Sequence, residues 1–253
     1  MFGICNLAVI PLRLEPSDRS EMVSQLLFGE QFELIDRQKQ WRKIRLHFDQ
    51  YEGWIDEKQF QQLSAEEFQA LANLPIALNG DLVEYITYPP NQLLPITLGA
   101  SLAFLKLEEI NRQGYSFDGQ IRTGVQPKSN VVETAYHYLN APYLWGGKTP
   151  FGIDCSGFTQ MVYKLNGYSL LRDASQQASQ GIPLSFIEES EAGDLAFFDN
   201  DEGKIIHVGI IMEDNYIIHA SGKVRVDRLD HLGIYNAELN KHTHKLRVIK
   251  KII

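Results

Sequence analysis

The sequence has little cysteine: Cys5 and Cys155 are the only two among 253 residues. Two cysteines so far apart suggest no disulfide framework, and neither has a neighbouring cysteine that would complete a zinc motif. No apolar stretch approaches the roughly 18 residues of a membrane-spanning helix. The amino terminus also lacks the basic and then apolar order of a signal peptide. We therefore expect a cytoplasmic protein without a membrane partner.

Basic residues are also fewer than acidic ones. The sequence has 24 Lys and Arg and 32 Asp and Glu, which gives a net charge of −8. Such a surface disfavours nucleic acid as a partner. Hydrophobic residues make up 44% of the chain and aromatic residues 11%, which excludes disorder and coiled coil. The composition predicts a globular protein of one large or several small domains.

Residues 1–62 carry short apolar groups separated by turn residues, without a helical period. Strand signals this close together predict a small all-β barrel. Three segments resemble the bacterial SH3-like domain: Gly29-Glu30-Gln31-Phe32-Glu33-Leu34, Trp41-Arg42-Lys43-Ile44 and Tyr51-Glu52-Gly53-Trp54-Ile55.

The stretch 63–74 is predicted to be a linking helix, because Ser64 and Glu67 form a capping box ahead of Phe68 and Leu71. Residues 75–126 return to strand patterns, with a turn at Pro89-Pro90. Ile96-Thr97-Leu98-Gly99 echoes the first barrel, so we interpret 75–126 as a second, degenerate SH3-like domain.

Residues 127–253 begin with helical periodicity. Asn130 and Glu133 predict a cap for a helix that buries Val132, Ala135, Tyr136 and Leu139. A second helix is predicted to bury Phe158, Met161, Val162 and Leu165 and to end at Gly167. Strands follow at 194–198, 205–212 and 216–220, and helices before antiparallel strands predict an α+β domain.

Cys155 lies at the predicted start of the second helix, in Asp154-Cys155-Ser156-Gly157-Phe158. Backbone N–H groups and the positive end of the helix dipole would favour its thiolate and lower its pKa. A nucleophilic cysteine is one interpretation, and a small buried hydrophobe is the other. Cys5, in an alternating apolar strand, fits only the second.

A nucleophilic thiol needs a base and a group that orients the base. His207 and His219 each lie inside an apolar strand, and a turn centred on Glu213 would make them cross-strand partners. Two satisfied core histidines are the alternative. The other five are interpreted as surface or loop residues: His47, His137, His231, His242 and His244.

Six segments, in order, resemble the NlpC family of papain-like cysteine peptidases. They are Tyr143-Leu144-Trp145-Gly146-Gly147, Asp154-Cys155-Ser156-Gly157-Phe158, Arg172-Asp173-Ala174-Ser175-Gln176-Gln177, Gly193-Asp194-Leu195-Ala196-Phe197-Phe198, His207-Val208-Gly209-Ile210 and Ile218-His219-Ala220-Ser221-Gly222. The resemblance implies a papain-like domain with Cys155 as nucleophile, His207 as base and later acid, and His219 as the polar third member.

SH3-like units ahead of this domain resemble the γ-D-glutamyl-L-diamino acid endopeptidases, also called dipeptidyl-peptidase VI. That resemblance implies that Tyr51, Asp154 and Ser156 recognise the free ammonium of the substrate. It also implies that Tyr143 stabilises the oxyanion. Helix capping for Asp154, a solvated position for Ser156 and barrel packing for Tyr51 are the alternatives.

The same segments yield further expectations at 172–175. Ser175 is a candidate for lining the site, whereas Arg172 and Asp173 are interpreted as structural ion-pair residues. The resemblance implies hydrolysis of the γ-D-glutamyl bond to the diamino acid in murein peptides with a free L-Ala, with release of L-Ala-D-Glu. Neither a metal nor a cofactor is expected. A non-catalytic scaffold that binds cell-wall peptides and a papain-like acyltransferase are the alternatives.

Overall fold

The computed structural model describes all 253 residues, which divide into two compact units, 1–125 and 126–253. The longest of the four α-helices has 11 residues. No helix combines the length and the apolar character that crossing a membrane would need.

The first unit contains twelve strands and one α-helix. They are β1 (Phe2–Cys5), β2 (Val9–Arg13), β3 (Met22–Leu27), β4 (Gln31–Gln38), β5 (Trp41–Leu46), β6 (Glu52–Asp56), β7 (Phe60–Leu63), α1 (Ala65–Ala72), β8 (Ala77–Asn79), β9 (Val83–Tyr88), β10 (Gln92–Thr97), β11 (Ser116–Phe117) and β12 (Ile121–Thr123).

Strands β1 to β7 form the predicted small barrel. Their antiparallel sheet has the order β3-β2-β6-β5-β4-β1-β7. Alternate residues of the strands point inward and pack a core that includes Ile10, Phe32 and Ile44. Cys5 belongs to that core and its Sγ donates to the Leu7 carbonyl oxygen at 3.2 Å, which agrees with its interpretation as a buried hydrophobe.

Helix α1 begins where the capping box predicts. The Glu67 N–H donates to Ser64 Oγ at 3.1 Å, and the Ser64 N–H donates to Glu67 Oε2 at 2.7 Å. Both bonds satisfy backbone donors that the first turn leaves without helical partners.

Residues 77–123 form two small antiparallel sheets, β8 with β12 and β9 between β10 and β11. Their core is shared with the barrel, because Phe28 makes edge contacts with Phe104 and Tyr115 at ring-centroid distances of 5.3 and 5.6 Å. The backbones of the barrel and of residues 77–123 approach so closely that a Cβ at Gly29 would lie 1.9 Å from the Ser101 carbonyl oxygen. The SH3-like interpretation of 75–126 stays a prediction.

The second unit contains three α-helices and nine strands. They are α2 (Asn130–Tyr136), β13 (Lys148–Thr149), β14 (Gly152–Ile153), α3 (Cys155–Leu165), α4 (Ala174–Gln177), β15 (Ile182–Leu184), β16 (Leu195–Asp199), β17 (Ile205–Ile211), β18 (Tyr216–Ser221), β19 (Lys223–Asp230), β20 (Gly233–Asn236) and β21 (Lys241–Lys251).

The face that α2 buries differs from the prediction. Val131, Ala135 and Tyr138 are buried, whereas Tyr136 and Leu139 are exposed. Ser129, rather than Asn130, holds the N-cap position, and its side chain accepts no capping bond. Apolar residues at 131, 135 and 138 repeat with the same helical spacing as those at 132, 136 and 139, so periodicity alone does not choose between the two faces.

The main sheet of this unit is antiparallel and has the order β15-β21-β16-β17-β18-β19-β20, with a further pairing of β20 to β21. Helix α3 lies against β17 and β18 and is buried along its whole length. Gly167 follows it with φ +84°, as a helix stop requires. Helices packed on an antiparallel sheet confirm the α+β prediction, although the sequence pattern did not predict β19 to β21.

Candidate active site

Cys155 is the first residue of α3, as predicted. Asp154 precedes it in an extended conformation, and its Oδ1 accepts the Gly157 N–H at 2.6 Å. Backbone N–H groups of Ser156 and Val208 hydrogen-bond the thiol. Because Val208 follows His207 in β17, the thiol lies beside the strand that carries the predicted base.

The Asp154 carboxylate is paired with Arg172, which is 1% exposed. Arg172 Nη1 and Nη2 donate to Asp154 Oδ1 and Oδ2 at 3.0 and 2.7 Å, and Nη1 also donates to Ser156 Oγ at 3.0 Å. The Gly146 N–H adds a bond of 2.8 Å to Oδ2. Ser156 Oγ also donates to Oδ1 at 3.4 Å, so Oδ1 accepts three hydrogen bonds and Oδ2 accepts two. The arrangement fits the interpretation of Arg172 as a structural ion-pair residue, and it fits helix capping by Asp154.

His207 and His219 meet as predicted, since His207 Nε2 and His219 Nδ1 are 2.8 Å apart and both residues are buried. The predicted register is wrong, however, because His219 stands opposite Gly209. The turn uses left-handed Asp214 and Asn215, so it is centred one residue later than predicted.

Gly209 makes the offset contact possible. A Cβ at Gly209 would lie 2.8 Å from the Cβ of His219, closer than real side chains approach. The facing position is therefore open, and the His219 ring reaches its diagonal neighbour on the adjacent strand.

Asp227 on β19 extends the histidine pair and was not predicted. Its Oδ2 lies 3.0 Å from His219 Nε2. Arg225 donates from Nε to Oδ2 at 2.7 Å and from Nη2 to Oδ1 at 3.0 Å. The alternation Val224, Arg225, Val226, Asp227 is the strand signal that could have placed this carboxylate beside β18.

His244 on β21 also belongs to the site, so its interpretation as a surface or loop residue is wrong. Its ring stacks on that of His207, with centroids 4.1 Å apart and planes at 26°. All five positions from Lys241 to Lys245 are polar, so no alternation of polar and apolar residues marks this part of the strand. His242, by contrast, is exposed and pairs with Asp230.

Tyr143 lies close to the nucleophile. Burial, with the nearby Cys155 and Asp154, raises the pKa of Tyr143 to about 12. Its phenol therefore stays protonated at neutral pH and can donate a hydrogen bond, which the predicted oxyanion role requires.

The remaining predicted residues are Ser175 and Tyr51. Ser175 is exposed on α4, whereas Gln177 of the same helix donates to the Ser156 carbonyl oxygen at 2.9 Å. Tyr51 belongs to the first unit, where it follows β5 and packs against the barrel core. Its role at the active site stays a prediction.

Comparison with known proteins identifies the family. Residues 140–245 match the NlpC/P60 family, and residues 12–60 match the bacterial dipeptidyl-peptidase Sh3 domain. A γ-D-glutamyl-L-lysine dipeptidyl-peptidase of Bacillus subtilis is 30% identical over 217 residues, which cover 78% of this chain and 71% of the relative. The chain belongs to the NlpC/P60 family.

Other NlpC/P60 relatives agree with this assignment. Dipeptidyl-peptidase 6 of Lysinibacillus sphaericus is 27% identical over 87% of this chain and 88% of its own. The crystal structure of an NlpC/P60 family protein from Bacillus cereus shares the fold, with a TM-score of 0.82 at 20% identity over 100% of this chain and 99% of that chain. The predicted papain-like domain and amino-terminal SH3-like domain are confirmed, and the chain is a hydrolase.

The electrostatics of this NlpC/P60 site contradict one prediction. Burial, reinforced by Asp154, raises the pKa of the Cys155 thiol to about 12, because it outweighs the backbone N–H groups and Arg172. Burial, together with His219 and His244, lowers the pKa of His207 well below its usual value. The predicted lowering of the thiol pKa is therefore wrong, and both partners are neutral in the resting site.

We expect the resting enzyme to contain no thiolate at neutral pH. The measurement is the ultraviolet thiolate absorbance of wild type as a function of pH, after subtraction of the Cys155→Ala spectrum. This difference should stay at baseline up to pH 8.5, which is about the pKa of cysteine in solution, and should rise only at higher pH. Cys5→Ala serves as the control, since its spectrum should match wild type. Full thiolate absorbance at pH 7 would contradict the neutral pair.

A cluster of three histidines has the residue types that bind metal ions. The ring nitrogens of His207, His219 and His244 lie within 4.8 Å of one another. The nitrogens of His207 and His219 that face each other share a hydrogen bond, and the other nitrogen of His219 faces Asp227. Two of the three rings thus direct nitrogens along a hydrogen-bonded chain.

Proposed function

We propose that this chain is a cysteine peptidase that cleaves the bond between the γ-carboxyl group of D-Glu and the amino group of a diamino acid in murein peptides. The substrate carries a free N-terminal L-Ala, and L-Ala-D-Glu is released. The names of the relatives from Bacillus subtilis and Lysinibacillus sphaericus support dipeptide release. The observation that carries the proposal is the thiol of Cys155 at the start of α3, beside the strand of His207, whose ring is hydrogen-bonded to that of His219.

The neutral resting pair fixes the order of proton transfers. The Cys155 sulfur attacks the γ-carbonyl carbon while its proton passes to His207, which gives a tetrahedral oxyanion. His207 then protonates the leaving amine as the C–N bond breaks and a thioester remains. Water attacks the thioester with His207 as base, and the proton returns to Cys155 when the dipeptide leaves.

Oxyanion stabilisation is assigned to backbone N–H groups at the start of α3 and to Tyr143. The helix start presents N–H groups without helical acceptors, and the Tyr143 phenol stays protonated at neutral pH. Donors held in place before the reaction stabilise the negative charge without further reorganisation.

The substrate ammonium is assigned to Tyr51, Asp154 and Ser156, following the sequence resemblance. Ser156 Oγ accepts one hydrogen bond from Arg172 and has a second lone pair. Asp154 Oδ1 already accepts three hydrogen bonds and Oδ2 accepts two, so the contribution of Asp154 to binding an ammonium is mainly its charge. Of Asp154 and Ser156, Ser156 therefore offers the more direct hydrogen bond to the ammonium.

Blocking the amine should therefore abolish most of the activity. We expect kcat/KM for L-Ala-γ-D-Glu-diamino acid tripeptides to fall on the order of 10²-fold or more upon N-acetylation, because a buried amine acceptor is left unpaired. Mass spectrometry of released L-Ala-D-Glu measures both rates. Tyr51→Ala should narrow the difference between the two substrates, and Tyr51→Phe serves as the conservative control.

Equal kcat/KM for the free and acetylated peptides would disprove the ammonium site while leaving the peptidase assignment intact. Tripeptide binding without release of L-Ala-D-Glu would instead favour the cell-wall peptide scaffold. Transfer of the acyl group to an added amine in preference to water would favour the acyltransferase.

A free-amine requirement suits peptides already detached from sugar. We therefore propose that the reaction takes place in the cytoplasm, which cell fractionation can test.

A further inference from the structure

A buried carboxylate closes the hydrogen-bonded chain that starts at His207. From His207 Nε2 the chain runs to His219 Nδ1 at 2.8 Å, and from His219 Nε2 to Asp227 Oδ2 at 3.0 Å. Asp227 is 7% exposed. Arg225 holds it with two further bonds and is itself tied to Glu238 at 3.1 Å.

The charge state of Asp227 sets the direction of every hydrogen bond in this chain. Burial opposes its ionisation, but hydrogen bonds from His219 and Arg225 outweigh burial and lower its pKa, so it is a carboxylate at neutral pH. A carboxylate only accepts hydrogen bonds. His219 Nε2 must therefore carry a proton.

A neutral imidazole that donates from one nitrogen accepts at the other. Burial lowers the pKa of His219, so its ring is neutral and its Nδ1 is an acceptor. His207 Nε2 must then donate to it, which leaves His207 Nδ1 without a proton. That nitrogen is the one available to take the proton of the Cys155 thiol.

We propose that Asp227 is a positioning residue of this peptidase: it fixes the tautomers of His219 and His207 so that His207 presents an unprotonated nitrogen to the nucleophile. The inference rests on the proposed function, because it assumes that Cys155 reacts through His207. Asp227 hydrogen-bonds to His219 and Arg225, and it acts on the nucleophile through two imidazoles.

The wild-type protein tests the tautomers directly. In protein labelled with ¹⁵N-histidine, NMR at neutral pH should show His207 and His219 both protonated at Nε2 and unprotonated at Nδ1. His219→Gln and His207→Gln samples assign the signals. A proton on Nδ1 of either ring would overturn the proposal, whatever the substrate proves to be.

Two substitutions separate tautomer control from charge pairing with Arg225. Asp227→Ala removes the acceptor, and we expect kcat to fall on the order of 10²-fold while KM changes little. Asp227→Asn removes the same charge but can place its amide oxygen where Oδ2 lies, so it should recover at least about tenfold of the lost kcat. Equal losses in both variants would show that pairing with Arg225 is the whole role, and would overturn the proposal.

The matched control lies on the same strand. Asp230 accepts from His242 at 2.9 Å in an exposed pair outside the site, so Asp230→Ala should leave kcat unchanged. A comparable loss there would overturn the assignment, because it would show general damage to β19.

Alkylation of Cys155 by iodoacetamide supplies a readout without peptide. The alkylation rate at pH 7 should be highest in wild type, lower in Asp227→Asn and lowest in Asp227→Ala, since His207 must accept the thiol proton. The same order of alkylation rates without any peptide hydrolysis would refute the proposed substrate and retain the role of Asp227.

The pH profile adds a further check. The charged groups that face the two imidazoles are Asp227 and Arg225 of β19, and His244 of β21 is their titratable neighbour. A negative charge at Asp227 stabilises protonated His219. Both Asp227 variants should therefore move the acid limb of kcat/KM to lower pH, and an unmoved limb would contradict the coupling.

Discussion

Cys155→Ala should reduce peptide hydrolysis on the order of 10³-fold or more, because it removes the only atom placed to form the thioester. The fold should persist, since alanine is a good helix residue and removal of one sulfur leaves the Asp154 cap in place. The measurement is the initial rate of L-Ala-D-Glu release, together with circular dichroism of the variant.

The chain offers a matched control in its other buried cysteine. Cys5→Ala changes the barrel core and should retain wild-type turnover. His207→Ala should lose nearly as much activity as Cys155→Ala, and the double variant little more, because the two residues act as one unit. Turnover by Cys155→Ala within tenfold of wild type would refute the assignment of the nucleophile.

Arg172→Met should lower the free energy of unfolding of the second unit by about 3–5 kcal/mol, because it leaves the buried Asp154 carboxylate without its cation. The substitution also removes the donor that holds Ser156 Oγ. Urea unfolding, with amide hydrogen exchange in α3, measures the loss and locates it.

An exposed ion pair of the same unit gives the comparison. Lys204 Nζ and Glu202 Oε2 lie 2.8 Å apart on the surface. Lys204→Met should therefore lower the free energy of unfolding by less than about 1 kcal/mol. Combining Arg172→Met with Asp154→Asn should recover part of the lost stability, because no unpaired charge remains. Equal effects of Arg172→Met and Lys204→Met would show that the buried pair contributes no more than a surface one.

The sequence was informative wherever residue type and local spacing decide the structure. The capping box at Ser64 and Glu67 predicted α1, and the position of Cys155 at a helix start follows from Asp154 and the apolar spacing of α3. His207 and His219 were paired because both stand in apolar strands joined by a short turn.

Sequence patterns failed where tertiary packing makes the choice. Helix α2 has two possible apolar faces, and only packing selects the one with Val131. Strand β21 carries mostly polar residues, so His244 was misplaced. The pKa of Cys155 was predicted with the wrong sign because burial cannot be read from the helix start alone.

Gly209 shows how an absent side chain can determine which residues meet. A search for paired histidines that demands directly opposed positions would reject His207 and His219, since Gly209 occupies the opposed place. The vacant volume above that glycine lets the two rings touch across a two-residue offset. Templates for such dyads should therefore include glycine itself as a third element, two residues beyond the first histidine.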